Sequence, residues 1–148
     1  MILNLGCGDR IIEGACNHDR FKHRPEVDIV HDLDIRPWPW DDNSFDQIQL
    51  ISVAEHLRLT LIETLDECWR ILKPGGNLIL KIPIYTAPTV RDDPTHIWSN
   101  WSDKVIDFVD PDTTYGRTTG FYTTRKWTII SRGVIKGRNL KAVMEPRK

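Results

Sequence analysis

A chain of 148 residues is long enough to bury the core of one domain, and we expect residues 1–148 to form a single domain. Its three cysteines are odd in number and lack metal-site spacing, which favours a reduced, cytoplasmic setting and no bound metal, and no apolar run is long enough for a membrane helix. The net charge of −1 hides an asymmetry, because residues 117–148 hold 9 Lys/Arg against Glu145 alone, a net of +8.

The first predicted element is a buried strand over residues 2–5, and we expect no signal peptide before it. The strand runs directly into a glycine-rich turn that contains Gly6, Cys7 and Gly8. Gly6 and Gly8 have no Cβ, so they permit positive φ angles and the close approach of a ligand. Ligands of open α/β sheets bind beyond the carboxyl ends of the strands, which makes this turn a candidate binding site. The third glycine of a dinucleotide fingerprint is missing, which argues against a nicotinamide cofactor.

The elements that follow alternate between strands and few helices. The connection over residues 9–18 is too short for a full crossover helix. One long helix is expected over residues 60–72, because Thr60 and Glu63 form a capping box and apolar residues follow at helical spacing. Pro and Gly at residues 74–76 end it. Further strands are predicted at residues 15–19, 27–31, 45–52, 77–83, 125–131 and 139–145.

The second half of the chain is expected to be less regular. Residues 84–102 form a long loop, and Ser102 caps a short helix that ends at Asp110. Residues 136–138 turn the last two strands into an antiparallel hairpin.

Three linked motifs carry a resemblance to a known family. The motifs are Leu3-Asn4-Leu5-Gly6-Cys7-Gly8, Asp42-Asn43-Ser44-Phe45-Asp46 leading to Ala54-Glu55-His56-Leu57, and Arg70-Ile71-Leu72-Lys73-Pro74-Gly75-Gly76. With them the chain resembles the class I S-adenosylmethionine-dependent methyltransferases, and in detail the small bacterial and phage members of the methyltransferase-11 type. The resemblance implies a compact Rossmann-like, doubly wound, mostly parallel sheet of about seven strands, with a C-terminal antiparallel hairpin and trimmed helices in the first half.

The resemblance implies S-adenosylmethionine as the cofactor, with S-adenosylhomocysteine as its product. We assign the ribose hydroxyls to Asp19 and the adenine edge to Asp32 and Leu33, although Asp32 is a rival for the ribose and could also be a solvated loop carboxylate. The amides of the glycine turn would face the amino-acid tail. The full predicted cofactor set is Asn4, Leu5, Gly6, Cys7, Gly8, Asp19, Asp32, Leu33, Ser52, Glu55 and His56.

Two histidines are candidates for catalysis. His56 follows the fourth strand, where it could take a proton or simply line the cofactor. His96 lies in the long loop, which offers polar groups and apolar faces together and is predicted to form the acceptor wall. The alternative is a loop that its tryptophans pin to the core. The predicted substrate-binding residues are Tyr85, Asp93, His96, Trp98 and Trp101.

The predicted function is methyl transfer to an unidentified acceptor, such as a small molecule or a carbohydrate. The alternative is a catalytically silent partner subunit that keeps the cofactor pocket, because no helix is predicted before the first strand to cover the site. Nucleic acid could bind the basic residues 117–148, but ion pairs with the acidic body are the favoured use of this charge. Self-association stays open.

Overall fold

Seven β-strands form one sheet in the computed structural model, which describes residues 1–148. Their spatial order departs from chain order at both ends of the sheet and runs β3-β2-β1-β4-β5-β7-β6. The strands are β1 (Ile2–Leu5), β2 (Cys16–Asp19), β3 (Ile29–Val30), β4 (Phe45–Ile51), β5 (Leu72–Pro83), β6 (Lys126–Ile135) and β7 (Asn139–Arg147).

The direction of strand addition reverses at β1, which lies between β2 and β4. Leu3 of β1 is paired with Cys16 on one side and with Ile48 on the other, and both pairings are parallel. β5 continues the parallel order beyond β4, whereas β7 is antiparallel to both β5 and β6. This is the expected Rossmann-like sheet with a C-terminal antiparallel hairpin. The crevice of such a sheet opens where the order reverses, beyond the carboxyl ends of β1 and β4.

Helices are few, and none precedes residue 54. The longest, α1 (Leu61–Ile71), begins at Thr60, whose side chain accepts a hydrogen bond from the Glu63 amide while the Glu63 carboxylate accepts one from the Thr60 amide. The predicted capping box is therefore confirmed. The first three strands are connected by loops alone, in agreement with the predicted trimming of helices in the first half. No helix has the length and hydropathy needed to cross a bilayer.

Two element boundaries differ from expectation. β5 begins at Leu72, five residues early, because Leu72 leaves α1 in an extended conformation and pairs directly with Phe45. The Pro-Gly-Gly segment then lies within the strand as an irregularity, with Gly75 at a φ of 75°. β3 is shorter than predicted, because only Ile29 and Val30 pair with β2.

The segment between β5 and β6 is more structured than predicted. A single helical turn, α2 (Thr89–Asp92), interrupts the long loop, and the helix expected after Ser102 is a 3-10 helix over Val105–Val109. Ser102 accepts a hydrogen bond from Lys104 ahead of this helix and does not cap it. A further helix, α3 (Thr114–Thr119), was not predicted.

The C-terminal hairpin rests against the acidic body. Arg132 pairs with the buried Asp107, and Arg147 pairs with Asp110. These ion pairs use part of the positive charge of residues 117–148 within the fold.

Arg70 on α1 fixes the loop ahead of β4. Its guanidinium donates to Glu67 Oε2 at 2.9 Å and to the carbonyl oxygens of Trp38 at 3.1 Å and Trp40 at 2.7 Å. Glu67 in turn accepts from the Trp38 amide at 2.8 Å. Both members of the pair are largely buried, so the loop, the helix and the ion pair depend on one another.

We expect Arg70→Met to lower the free energy of unfolding by about 3 kcal/mol, because it leaves the Glu67 carboxylate buried without its partner. The matched change is Lys73→Met, which breaks a pair with Asp46 whose side chains are 43% and 55% exposed. That change should cost less than about 1 kcal/mol. Urea unfolding measures both, and equal losses would contradict the role of Arg70.

Candidate functional site

The glycine turn after β1 is held by the end of β2. Gly6 and Gly8 have φ angles of 57° and 50°, a region that a residue without Cβ enters at little cost. The Gly8 amide donates to Asp19 Oδ2 at 2.8 Å, and the Arg20 amide donates to Asp19 Oδ1 at 2.7 Å. Each Asp19 oxygen thus retains acceptor capacity while the carboxylate fixes the turn.

A groove opens beside this turn, and we call it the glycine-turn groove. Its volume is about 150 Å³. Asp32 is oriented there by an ion pair between Oδ2 and Arg20 at 2.8 Å. The structure brings together the predicted residues Gly6, Asp19, Asp32, Leu33 and His56 in this groove, with His18, Arg20, His31, Asp34, Val53 and Leu57.

His18 is buried at the base of the groove. Its Nε2 lies 3.0 Å from the carbonyl oxygen of His31, and the Gly6 amide points at its Nδ1 from 3.4 Å. Because Nε2 faces an acceptor and Nδ1 faces a donor, the neutral ring fits with its proton on Nε2. Burial lowers the pKa of His18, which keeps the ring neutral and its bridge between β1 and β3 intact.

The turn after β4 forms the opposite wall. Ser52 has a φ of 56°, which is uncommon for a residue other than glycine and turns the chain sharply at the end of the strand. A 3-10 turn, Ala54–His56, follows. The carbonyl oxygen of Glu55 accepts hydrogen bonds from the amides of Ile97 at 2.8 Å and Trp98 at 3.1 Å. These two bonds hold the long loop against the end of β4.

A second cavity of about 350 Å³ lies between this turn and the loop, and we call it the polar cavity. Glu55 is only 2% exposed, and burial raises the pKa of its carboxyl to about 7. Its Oε2 atom has no hydrogen-bond partner. Charged or polar groups dominate the lining, which comprises Ser52, Glu55, His56, Lys81, Pro83, Ala87, Pro88, Thr89, Asp93, His96, Arg138 and Asn139.

Asp93 organises one side of the polar cavity. Its Oδ1 accepts hydrogen bonds from the amide and the hydroxyl of Thr95 at 2.9 and 2.6 Å, and the Thr95 hydroxyl lies 2.9 Å from His56 Nδ1. Asp93 Oδ2 lies 3.5 Å from His96 Nε2. The two imidazole rings meet edge to face with centroids 4.7 Å apart. Burial and the nearby His56 lower the pKa of His96, which favours its neutral form.

Several predicted residues lie outside both cavities. Asn4, Leu5 and Cys7 are buried beneath the glycine turn, where Asn4 Nδ2 donates to the Arg10 carbonyl at 2.6 Å and serves the local backbone. Gly8 is adjacent to the groove through its bond to Asp19. Ser52 and Glu55, predicted for the cofactor, face the polar cavity instead.

The predicted acceptor residues divide in the same way. Asp93 and His96 line the polar cavity, but Tyr85 is 63% exposed and lines no cavity. Trp98 and Trp101 stack on each other and line a separate apolar cavity of about 280 Å³ beside α1. Trp98 is turned there because its indole nitrogen donates to the carbonyl oxygens of Leu57 and Leu59. The alternative of a loop pinned by its tryptophans therefore holds for this part of the loop.

Sequence reasoning missed both cations of the polar cavity and the threonine that supports its frame. Lys81 reaches the cavity from β5 and Arg138 from the hairpin turn, and Thr95 links Asp93 to His56. The Asp93-Pro94-Thr95 pattern could have indicated a side-chain turn. No local signal could have placed Lys81 or Arg138, because they meet the site only through sheet pairing.

Comparison with known proteins gives one matching family. Residues 10–80 match the family model described as a methyltransferase domain. A search by sequence among curated proteins finds no match.

Solved structures resemble the whole chain at low identity. A Pyrococcus horikoshii protein aligns with a TM-score of 0.60 and 16% identity, over 99% of this chain and 81% of that one. A protein in the complex of the Haloferax volcanii Trm112 methyltransferase activator with a proposed methyltransferase aligns with a TM-score of 0.63 and 16% identity, over 99% of this chain and 82% of that one. An Aquifex aeolicus SAM-dependent methyltransferase aligns with a TM-score of 0.61 and 12% identity, over 97% of this chain and 80% of that one. At this level of identity, the likeness concerns the fold.

The lowered pKa of His18 gives a pH prediction. An unfolded histidine takes up a proton below its ordinary pKa of about 6.5, whereas folded His18 resists it, so the contribution of His18 to stability should be lost as the pH falls from about 6.5. Urea unfolding between pH 5 and about 8 should show this decline. His96 contributes in the same direction, so the comparison is with His18→Gln, whose pH dependence should be shallower. Parallel curves for the two proteins would contradict the assignment.

Proposed function

We propose that the chain is a class I S-adenosylmethionine-dependent methyltransferase, which the match of residues 10–80 to a methyltransferase domain supports, and that it methylates a small polar acceptor or a carbohydrate bound in the polar cavity. The single observation that carries the proposal is the position of His56, which lines both the glycine-turn groove and the polar cavity. A donor in the first and an acceptor in the second would meet at this side chain. Methyl transfer needs such a meeting, because it is a direct displacement that depends on orientation.

The groove fits the cofactor by its chemistry. S-adenosylmethionine supplies a methyl group on a sulfonium, already activated for transfer. The Asp19 and Asp32 carboxylates can accept hydrogen bonds from ribose hydroxyls and from the adenine amine. A Cβ built on Gly8 would meet nothing within 4 Å, which leaves room for a ligand at the turn. The groove of about 150 Å³ is smaller than a typical enclosed ligand pocket, which supports an open mode of binding.

The polar cavity supports a polar acceptor. Glu55 and Asp93 bring carboxylates to it, and Lys81 and Arg138 bring positive charges. A neutral imidazole of His56 or His96 could contact the acceptor's hydroxyl or amine and handle its proton. A purely apolar acceptor would leave these groups without partners. The lining therefore favours a small molecule that carries both hydroxyl and charged groups.

A silent partner subunit is the second candidate function. The open groove favours it, and one structural neighbour was solved with a methyltransferase activator. Phe121 and Tyr122 are exposed beside the apolar cavity and could meet a partner protein. Formation of S-adenosylhomocysteine by the purified chain would exclude this candidate, whereas cofactor binding without turnover over a broad acceptor panel would favour it.

We further propose a reducing, cytoplasmic setting, which the three free cysteines support. Nucleic acid is a less favoured partner, since arginines of the basic segment are engaged with Asp107 and Asp110. Binding to DNA or RNA at low salt, weakening steeply as salt is added, would reverse that preference.

The cofactor assignment is tested by removing one carboxylate. Asp19→Ala should weaken S-adenosylhomocysteine binding by about 1.5–3 kcal/mol, because a hydrogen bond to a charged group is lost. Asp9→Ala is the matched control, since Asp9 follows the same turn but pairs with Arg24 at the surface. Calorimetric titration measures both. Undiminished binding by Asp19→Ala would move the ribose to Asp32.

The acceptor assignment is tested with a panel of sugars, hydroxy acids and amines, scored by S-adenosylhomocysteine release. With the acceptor so found, His96→Ala should lower turnover by about 10²–10⁴-fold while the affinity for S-adenosylhomocysteine hardly changes. Arg91→Ala is the control, because Arg91 lies in the same loop, is exposed and lines neither cavity. Equal turnover by wild type and His96→Ala would remove the loop from the acceptor site.

A further inference from the structure

Three side chains in the polar cavity converge as metal ligands would. Glu55, His56 and His96 each offer one ligand atom, and the three atoms lie within 4.8 Å of one another. Glu55 Oε2 and His96 Nδ1 are buried without a hydrogen-bond partner, although buried polar atoms normally have one. We infer that Glu55, His56 and His96 bind a divalent transition-metal cation of the Zn²⁺ class. From the sequence no bound metal is expected, because His18, His23 and His31 lack paired ligand spacing and no Cys-x-x-Cys occurs.

The tautomer of His56 supports this site. An ionised carboxylate only accepts hydrogen bonds, so the Thr95 hydroxyl donates its single proton to Asp93 Oδ1 at 2.6 Å. The contact of 2.9 Å between Thr95 Oγ1 and His56 Nδ1 must therefore be donated by the ring. A neutral His56 then carries its proton on Nδ1, and Nε2 presents a lone pair.

The same aspartate orients the second imidazole. Asp93 Oδ2 faces His96 Nε2 at 3.5 Å, which favours the proton on that nitrogen and leaves the buried Nδ1 with its lone pair free. Metal-binding histidines typically direct their other ring nitrogen at a carboxylate in this manner. One carboxylate, Asp93, therefore acts as a positioning residue for both histidines.

Glu55 supplies the anionic ligand. Its side chain is almost fully buried and its Oε2 is unpaired, an arrangement that costs free energy in the metal-free protein. A cation would satisfy that oxygen and offset the buried charge. Two imidazoles and one carboxylate form a ligand set of catalytic zinc sites, which keep the remaining position open.

The site needs only a small adjustment to close. Zinc binds nitrogen and oxygen at about 2.0–2.2 Å, which places tetrahedral ligands about 3.4 Å apart. The present spread, within 4.8 Å, is wider. Rotation of the Glu55 carboxyl, whose Oε2 has no hydrogen-bond partner, would shorten this spread while His96 keeps its contact with Asp93.

The role of this cation rests on the proposed function and deepens it. A hydroxyl bound at the open position would have a lowered pKa and would release its proton to water, so neither histidine would need to act as a base. Lys81 and Arg138 line the same cavity and could hold a carboxylate or phosphate of the acceptor. The acceptor class is therefore a small anion that also carries a hydroxyl.

Metal binding is tested without any acceptor. The full chain, prepared without a histidine tag and stripped with a chelator, is titrated with Zn²⁺ by calorimetry and with Co²⁺ by visible absorption. We expect one Zn²⁺ per chain and a cobalt spectrum with nitrogen and oxygen ligands. Glu55→Gln should weaken Zn²⁺ binding at least about tenfold, and Asp93→Asn by about 10–100-fold, the range for outer-shell partners. His23→Gln is the control, because His23 does not line the polar cavity and contacts the Gly8 carbonyl oxygen instead.

The outcomes separate the metal from the methyl transfer. No saturable Zn²⁺ binding by the wild type would overturn the inference, as would equal binding by wild type and Glu55→Gln. Loss of binding in Cys16→Ser would assign the ion to a thiol and overturn it as well. S-adenosylhomocysteine is titrated into the metal-free protein in parallel. Cofactor binding without metal binding would leave the proposed function standing alone, and the reverse would leave only the metal site.

Discussion

The carbonyl oxygen of Glu55 anchors the functional half of the molecule. The hydrogen bonds that it accepts from Ile97 and Trp98 fasten the long loop after β5 to the end of β4. This contact closes the polar cavity on the loop side and leaves His56 as its common wall with the glycine-turn groove. Together with the contact between Thr95 and His56, it fixes the position of Asp93 and His96 relative to β4.

The side chain of Glu55 is buried at a cost in free energy. Its carboxyl is buried, its Oε2 is unpaired, and its pKa is raised by burial to about 7. Structural carboxylates elsewhere in this chain are paired, as Glu67 is with Arg70 at 2.9 Å. A buried carboxyl with one unpartnered oxygen contributes little to stability. Buried polar atoms without a partner are often found where a ligand binds, and the proposed cation would supply the missing partner.

The first half of the fold shows how a small sheet can keep a binding groove with no helical cover. Asp19 holds the glycine turn through the Gly8 amide, and the buried His18 joins β1 to the segment after β3. Side chains and loops thus support the groove where no crossover helix connects the first three strands. The consequence is an open groove, where a cofactor would bind with one side toward solvent or toward a partner.

The sequence by itself determined the α/β fold class, the order of the elements and the capping box of α1, because strand periodicity, glycine turns and caps are local signals. It also singled out the glycine turn, Asp19 and Asp32, which the structure brings to one groove, and the loop with His96, which lines the polar cavity. It misjudged the start of β5, since the pairing of Leu72 with Phe45 is a contact between distant residues. Only the tertiary structure decided that Trp98 turns away from the site, that Lys81 and Arg138 enter it, and that Glu55, His56 and His96 meet. These contacts join residues up to about 80 positions apart through sheet pairing and loop docking. Local sequence patterns do not predict either kind of contact.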